Sequence, residues 1–369
     1  MDFGELGLLD GLEGEQRAQR ERLLTRLADD GFSEQELTAA VKEDRLALLP
    51  VERVLGGQYT AEEIEERSGV PADLVIRVRG MLGLPDSGPT DRVFAEEDID
   101  TAKAIKLFMD AGFGEEPIGE ISRVLGEGMA RLAATITAAF TDTFLTAGDG
   151  EDEVALRFAE LAEQMAPATK PILVSGFQAH LRDSVARGML GRAELQSGDA
   201  AGAQEMAVCF ADLVGFTRLG GQVDVRELGT VVGRLSTLAA AHARPPVRLI
   251  KTIGDAALLV SREPEPLVEM ALELVAAFEA EDELPSLRAG IALGPALFRA
   301  GDYYGNSVNL ASRVTGVARP GSVLCTREVR DATREAFHWS AAGRHRLKGV
   351  SGPTPLYRAR SEDGEPQQQ

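Results

Sequence analysis

The texture of this chain changes once, near Glu205, and that change limits the folds open to it. Up to about Ala200 the apolar residues recur at three and four, most clearly over Arg17 to Asp29, Ala95 to Ala111 and Gly119 to Leu145, which is a helical period. Beyond Glu205, short apolar runs suited to strands alternate with amphipathic stretches. The expected strands are Met206 to Ala211, a pair within Val247 to Ser261 turning at Gly254-Asp255, Leu287 to Ala296, Ser322 to Cys325, and two closing strands before Tyr357. Between them the spacing predicts helices over Val225 to Ala243, Pro264 to Ala280 and Gly305 to Val317, and another from Arg327. This β-α-β-β-α-β order predicts an α+β sheet with a ferredoxin-like core and helices on one face, preceded by an all-α domain.

The domains then read as residues 1–194, helical; 195–204, a linker of small and polar residues (LQSGDAAGAQ); 205–360, α+β; and 361–369, a disordered tail (SEDGEPQQQ). A chain of 369 residues is long enough for two such cores. Within the helical half, GDGEDE (Gly148 to Glu153) is a polar break, after which Val154 to Gly188 again reads as helices.

One helical segment has a more particular shape. Over residues 59–84 a Thr60 cap opens a short helix, Ser68-Gly69 makes a turn, and Ala72 to Leu82 forms a second helix. It resembles the opening of the winged-helix regulators related to the MerR family. The second helix, ADLVIRVRGML, carries Arg77 and Arg79 but no Asn, Gln or Lys to read bases, and the helix before it is acidic. With 59 Asp and Glu against 39 Lys and Arg, the formal charge is −20. Affinity for nucleic acid rests on neutralising phosphates, so no DNA partner is expected.

The two cysteines, Cys209 and Cys325, each sit in an apolar strand-like run. They read as small core residues in a reducing compartment rather than a disulfide framework. The start, MDFGELGLLDGLEGEQ, lacks the basic-then-apolar profile of a signal peptide, and no run approaches the roughly 20 apolar residues of a membrane span. A cytoplasmic location is expected.

The residues with chemistry cluster after Glu205. Asp212 ends the run MAVCFAD, and Asp255 sits at the turn of IKTIGDAALLV; with the first strand beside that hairpin, both carboxylates reach one sheet edge. Hard oxygen ligands of this kind suit Mg²⁺ or Mn²⁺ held together with a substrate's phosphates, although either Asp alone better suits a turn or a cap. GDYYGNSVNLASR (Gly301 to Arg313) opens with a Gly-Asp turn and enters a helix whose Asn309 and Arg313 share a face. Taken alone, it is also an amphipathic helix with a capped start and a solvated Arg.

FADLVGFT, KTIGDAALL, RAGIALGP and GDYYGNSVNLASR together, in this order and approximate spacing, resemble the catalytic domain of class III adenylate cyclases over residues 205–360. The long helical half resembles that of bacterial members whose N-terminal domain is autoinhibitory and pH-responsive. The resemblance implies an enzyme converting ATP to 3′,5′-cyclic AMP and pyrophosphate. Asp212 and Asp255 would hold two divalent ions, Mg²⁺ or Mn²⁺, and Arg288 in LRAGI and Lys348 in HRLKGVSG would bind phosphate. Asn309 and Arg313 would orient the ribose and stabilise the α-phosphate charge. Lys251 and Asp302 match the base-reading positions and supply the donor and acceptor that adenine's N1 and N6 require. In the family these two sets of residues come from different chains, and one chain carrying both implies a homodimer. The run GPALFRAGDYYG is shorter than the arm that many members place before the base-reading Asp.

Two other functions fit parts of the sequence: a cyclase-like domain that only binds nucleotide as a sensor, and a transcription regulator using residues 59–84. For regulation, His180 is the only one of the four histidines in the helical half, and its protonation would be one element of a pH response, with Asp183 and Glu194 as further titrating groups.

Overall fold

A computed structural model describes residues 1–145, 149–194, 203–221 and 224–361. The chain divides into two compact units, Met1–Ser197 and Gly198–Gln369. Residues 195–202 of the expected linker, 362–369 of the expected tail and Gly148 of the polar break lie outside the described residues.

The first unit is helical: α1 (Gly14–Asp29), α2 (Glu34–Lys42), a 3₁₀ turn at Leu46–Leu48, α3 (Leu49–Leu55), α4 (Ala61–Ser68), α5 (Ala72–Met81), α6 (Glu96–Asp110), α7 (Glu115–Phe144) and α8 (Glu151–Glu194). Local chemistry starts several of them. Thr60 and Glu63 form a reciprocal capping box on α4, with Glu63 N–H donating to Thr60 Oγ1 at 3.2 Å and Thr60 N–H donating to Glu63 Oε2 at 2.8 Å. The Thr60 N–H is also the chief cause that holds the Glu63 carboxyl below its ordinary pKa. Gly69 ends α4 in the left-handed region at φ 72°, which turns the chain into α5.

Two apolar clusters stabilise this unit. Phe3, Leu8 and Leu9 pack with Leu23, Leu24 and Leu27 of α1 and Leu37 of α2, so the residues before α1 are part of the core. Ile64, Leu74, Val78, Phe94 and Ile99 tie α4, α5 and α6 together. Val154 to Gly188 reads in sequence as several helices, but it forms part of one 44-residue helix, α8, that contains both Pro167 and Pro171. Each proline removes one backbone donor without ending the helix.

The second unit runs β1 (Ala203–Leu213), α9 (Phe216–Leu219), α10 (Val225–His242), β2 (Arg248–Ile253), β3 (Ala256–Ser261), α11 (Pro264–Glu279), β4 (Leu287–Arg299), β5 (Asp302–Tyr304), α12 (Asn306–Val317), β6 (Ser322–Cys325), α13 (Arg327–Ala332), β7 (His338–Arg346) and β8 (Pro353–Arg360). The strands form one mixed sheet in the order β2-β3-β1-β4-β6-β8-β7, with β5 paired to β4. Its first four strands and the helices α10 and α11 are the βαββαβ core read from the sequence; β5 and the short α9 are additions to that reading.

Alternation along β1 explains why the sheet has two apolar faces. Ala207, Cys209 and Ala211 join the cluster with Leu235 of α10 and Leu274 and Phe278 of α11, while Met206 and Val208 join Leu258, Val260 and Ala311 on the side of α12. Both cysteines are buried and free. Cys209 pairs with Ile291, which pairs with Cys325, so the thiols lie two strands apart, roughly 9–10 Å by strand spacing and beyond disulfide reach. Burial pushes the Cys209 thiol up to about 12. Among the described residues no helix is long and apolar enough to cross a membrane.

Candidate active site

Asp212 continues the α12 face of β1, two residues beyond Phe210. It pairs in register with Arg288 on β4, so both side chains leave the sheet on one side. Arg288 Nε donates to Asp212 Oδ2 at 2.9 Å, and Arg288 Nη1 donates to the Gly316 carbonyl at the end of α12 at 3.4 Å. The two side chains stay 20% and 26% exposed, which leaves the pair open to a ligand. Asp255 sits in the β2–β3 turn, and the Leu213 N–H donates to its carbonyl at 3.0 Å, fixing that turn beside the end of β1. Both aspartates therefore lie at one sheet edge, where the strand ends predict them.

Among the described residues no three His, Cys, Asp or Glu side chains gather as a metal group. Two aspartates on adjacent segments do fit a hard divalent ion of the kind that completes its shell with substrate phosphates and water. Beyond Asp212 the chain turns through Gly215, at φ 77°, into α9. A pocket of about 230 Å³ opens there, lined by Val214, Gly215, Arg218, Leu219 and Pro285. Arg218 had no sequence signal beyond its place after the Gly turn.

Lys251 and Asp302 form an ion pair, with side chains 33% and 24% exposed. The turn expected at Gly301-Asp302 lies one residue earlier, at Ala300 and Gly301, with φ of 51° and 78°. Asp302 instead begins β5, opposite Arg299. Its Oδ1 accepts the Tyr303 N–H at 2.8 Å. Tyr303 is itself anchored: Arg248 Nη1 donates to its hydroxyl at 3.2 Å, and its ring lies 5.0 Å from that of Phe298. These contacts carry the short β4–β5 hairpin onto β2 and so bring Asp302 to Lys251.

A third set lies on α12. Gly290 lets this helix lie on the sheet, because a Cβ there would overlap the Thr315 backbone nitrogen. Thr315 Oγ1 completes the seat by donating to the Phe210 carbonyl at 3.2 Å. Asn309 is exposed, one turn before the half-buried Arg313. A Cβ on Gly349 would lie 3.3 Å from Arg313 Nη2, so the β7–β8 turn carrying Lys348 packs against that guanidinium. Among the described residues no side-chain hydrogen bond or ion pair joins the Lys251–Asp302 pair to the Asp212–Arg288 pair.

A helical unit followed by a mixed βαββαβ sheet, with two strand-end aspartates and Arg313 on α12, agrees with the nucleotide-cyclase resemblance of the sequence motifs. The family described as adenylate cyclase regulatory domain matches residues 2–185, and that described as adenylate and guanylate cyclase catalytic domain matches residues 199–359. The pH-sensitive adenylate cyclase MT1302 of Mycobacterium tuberculosis is 37% identical over 360 residues, covering 96% of this chain and 91% of that protein. An adenylate cyclase of Streptomyces coelicolor is 32% identical over 292 residues, covering 76% of this chain and 74% of its own. Among solved structures, the catalytic core of a rhodopsin-guanylyl cyclase with converted specificity is similar at 22% identity and a TM-score of 0.41, covering 44% of this chain and 99% of that one. The chain belongs to the class III adenylate cyclases that carry an N-terminal regulatory domain.

Proposed function

We propose that two copies of this chain build two equivalent sites, each converting ATP to 3′,5′-cyclic AMP and pyrophosphate in the cytoplasm. The observation that carries this reading is the partly exposed Lys251–Asp302 pair, a donor beside an acceptor, in the same chain as an intact Asp212–Arg288 pair. Lys251 donates to adenine N1 and Asp302 accepts from N6. Guanine presents N1–H and O6 instead, which would face the wrong partners and leave them unpaired.

Asp212 and Asp255 would hold two Mg²⁺ or Mn²⁺ ions, which when bound supply neutralisation of the triphosphate and activation of the ribose 3′-hydroxyl. Arg288, released from Asp212, and Lys348 bind the leaving phosphates. Asn309 orients the ribose. Arg313 would stabilise charge at the α-phosphate as the 3′-oxygen attacks phosphorus in line and the bond to the bridging β-phosphate oxygen breaks. In each site Asp212, Asp255 and Arg288 come from one chain, and Lys251, Asp302, Asn309 and Arg313 from the other.

The helical unit has surface for such a pairing. Ile121, Val124, Leu125, Met129 and Ile136 form an exposed stripe on α7, and Val174, Phe177, Leu181 and Val185 form one on α8. The shared site is tested by mixing inactive Asp212→Ala protein with inactive Asn309→Ala protein. One site of each heterodimer is then intact, so free subunit exchange should restore about a quarter of wild-type activity. No recovery despite confirmed exchange counts against a shared site.

The domain arrangement follows as a helical regulatory domain over residues 1–194, a linker and the catalytic domain over 205–360, with no DNA partner for the α4–α5 pair. Regulation by pH is the remaining part of the proposal. His180 is exposed on α8, the helix that precedes the catalytic domain in sequence. Protonation of His180 would bias the helical domain between an inhibiting and a released arrangement, with Asp183 and Glu194 contributing. The check is a pH–activity profile of the full-length protein, His180→Ala and a fragment beginning at Ala200. A single profile shared by full-length protein and fragment removes the helical domain as the sensor; a wild-type profile for His180→Ala moves the sensor elsewhere within it.

A further inference from the structure

Arg358 lies inside the sheet and has no counter-ion among the described residues. β8 runs between β6 and β7, and the registers Leu324↔Arg358 and Ser340↔Arg358 place these three residues in one row. Paired residues leave a sheet on the same side, and Leu324 packs with Val314 of α12 and with Leu347 and Leu356, so the row faces the end of α12. Arg319 follows that helix. His345 lies beyond a register shift in β7, its ring fixed by Nε2–H donating to the Ala342 carbonyl at 2.9 Å.

Val317, Arg319, Leu324, Ser340, His345 and Arg358 border a pocket of about 250 Å³. No described Asp or Glu lines it, in a chain whose formal charge is −20. Arg358 Nε is buried without a hydrogen-bond partner, and among the described residues neither Arg319 nor Arg358 makes an ion pair. Elsewhere in this unit the guanidiniums of Arg288 and Arg234 have carboxylates, Asp212 and Glu281. A buried donor on a cation is costly to leave unmade, so an anion is the missing member. The volume falls below the roughly 300 Å³ at which sites for drug-sized ligands begin, which selects a small anion over a whole nucleotide. Two guanidinium forks suit the tetrahedral oxygens of a phosphate better than a single-point anion such as chloride.

We propose that this pocket is a binding site for a small phosphate-type dianion, held by Arg319 and Arg358 beside Ser340 and His345. Asp212, Arg288, Arg313 and Lys348 do not line it, so the site is separate from the catalytic set.

His345 is a reporter built into the pocket wall. In the full-length protein, ¹⁵N-labelled at histidine, its ring signals are identified by their absence from His345→Gln. At fixed pH and ionic strength, inorganic phosphate should move these signals along a saturating curve, while those of His338 and His242 stay in place. Arg319→Gln, at an exposed position, should weaken the midpoint about tenfold, and Arg358→Lys, which keeps the charge but loses the fork, by a similar factor. Lys348→Ala should leave the midpoint within about twofold, which separates this pocket from phosphate bound at the catalytic set. Parallel titrations with pyrophosphate and with AMP distinguish the sources: free phosphates should saturate the shift, and the nucleotide should bind at least about tenfold more weakly. No saturable shift, or an equal midpoint in wild type and Arg319→Gln, overturns the site. Loss of the shift in Lys348→Ala also overturns it, by assigning the anion to the catalytic set.

Discussion

The two faces of the catalytic sheet are built from the same strands and both hold buried apolar clusters, but the charged side chains of the candidate site collect on one of them. One is covered by α10, α11 and α13, and the side chains it collects are apolar: Leu235, Leu259, Leu267, Leu274 and Phe278 are buried to within 1%. Among the described residues the other is covered by α12 and leaves room for Asp212 with Arg288, Lys251 with Asp302, Arg313 against the β7–β8 turn, and the pocket around Arg358. Strand alternation sorts these residues, because Cys209 and Ala211 point one way while Phe210 and Asp212 point the other. Both the closed face under α10 and α11 and the open face under α12 stabilise the domain, but the apolar clusters on the open face stop short of the strand ends, and there charged side chains stay partly exposed.

The strongest challenge to this division comes from the closed face. Phe278→Ala removes a fully buried ring and should cost about 3–5 kcal/mol in urea unfolding, while the folded fraction keeps close to wild-type kcat. A variant that keeps its stability, or loses turnover out of proportion to the fraction unfolded, would show that the closed face also serves catalysis.

Next in size is the reverse experiment on the open face. Asp212→Ala and Asp255→Ala should each lower kcat about 10²–10³-fold or more, as expected when one preorganised electrostatic group is lost. Stability should change by less than about 1 kcal/mol for Asp212→Ala, because the ion pair it breaks is partly exposed. If both variants keep a tenth of wild-type activity, the aspartates do not hold the ions.

How much of this the sequence disclosed follows the same division. The helices and core strands were legible because each has an apolar period of its own, and the placement of Asp212 and Asp255 followed from strand ends and a Gly-Asp turn. What escaped were features set by contacts between distant segments. β5 is three residues long and exists because Tyr303 is held by Arg248 and Phe298. The turn at Ala300-Gly301 lies one residue before the Gly-Asp pair at which the sequence predicts it. Arg319 and Arg358 belong to no sequence motif, and it is the β6–β8–β7 register that sets Arg358 in a row beneath the end of α12. The single helix α8 was not legible, because the local pattern over Val154 to Gly188 reads as several helices while Pro167 and Pro171 are held inside one.

The smallest expected effect sharpens the comparison most, because it asks whether the open face reads the base as well as binding charge. In Lys251→Glu with Asp302→Cys, the donor for N1 and the acceptor for N6 are both removed, and the introduced carboxylate would set an acceptor against the N1 acceptor of adenine. Each lost or mismatched hydrogen bond costs about 1–3 kcal/mol, with part of that recovered by water at a pair still 33% and 24% exposed. The expected result is therefore a fall in kcat/KM for ATP of about 10–100-fold, with GTP turnover unchanged or raised, since its N1–H and O6 now meet an acceptor and a weak donor. Neither substituted residue lies in the closed-face core, so unfolding should be little altered. A loss confined to kcat with KM unchanged would mean that the pair positions the ribose rather than holding the base. Unchanged ATP kinetics would leave Lys251 and Asp302 as a structural pair that fastens the β4–β5 hairpin to β2, and the choice of base would then lie elsewhere on the open face.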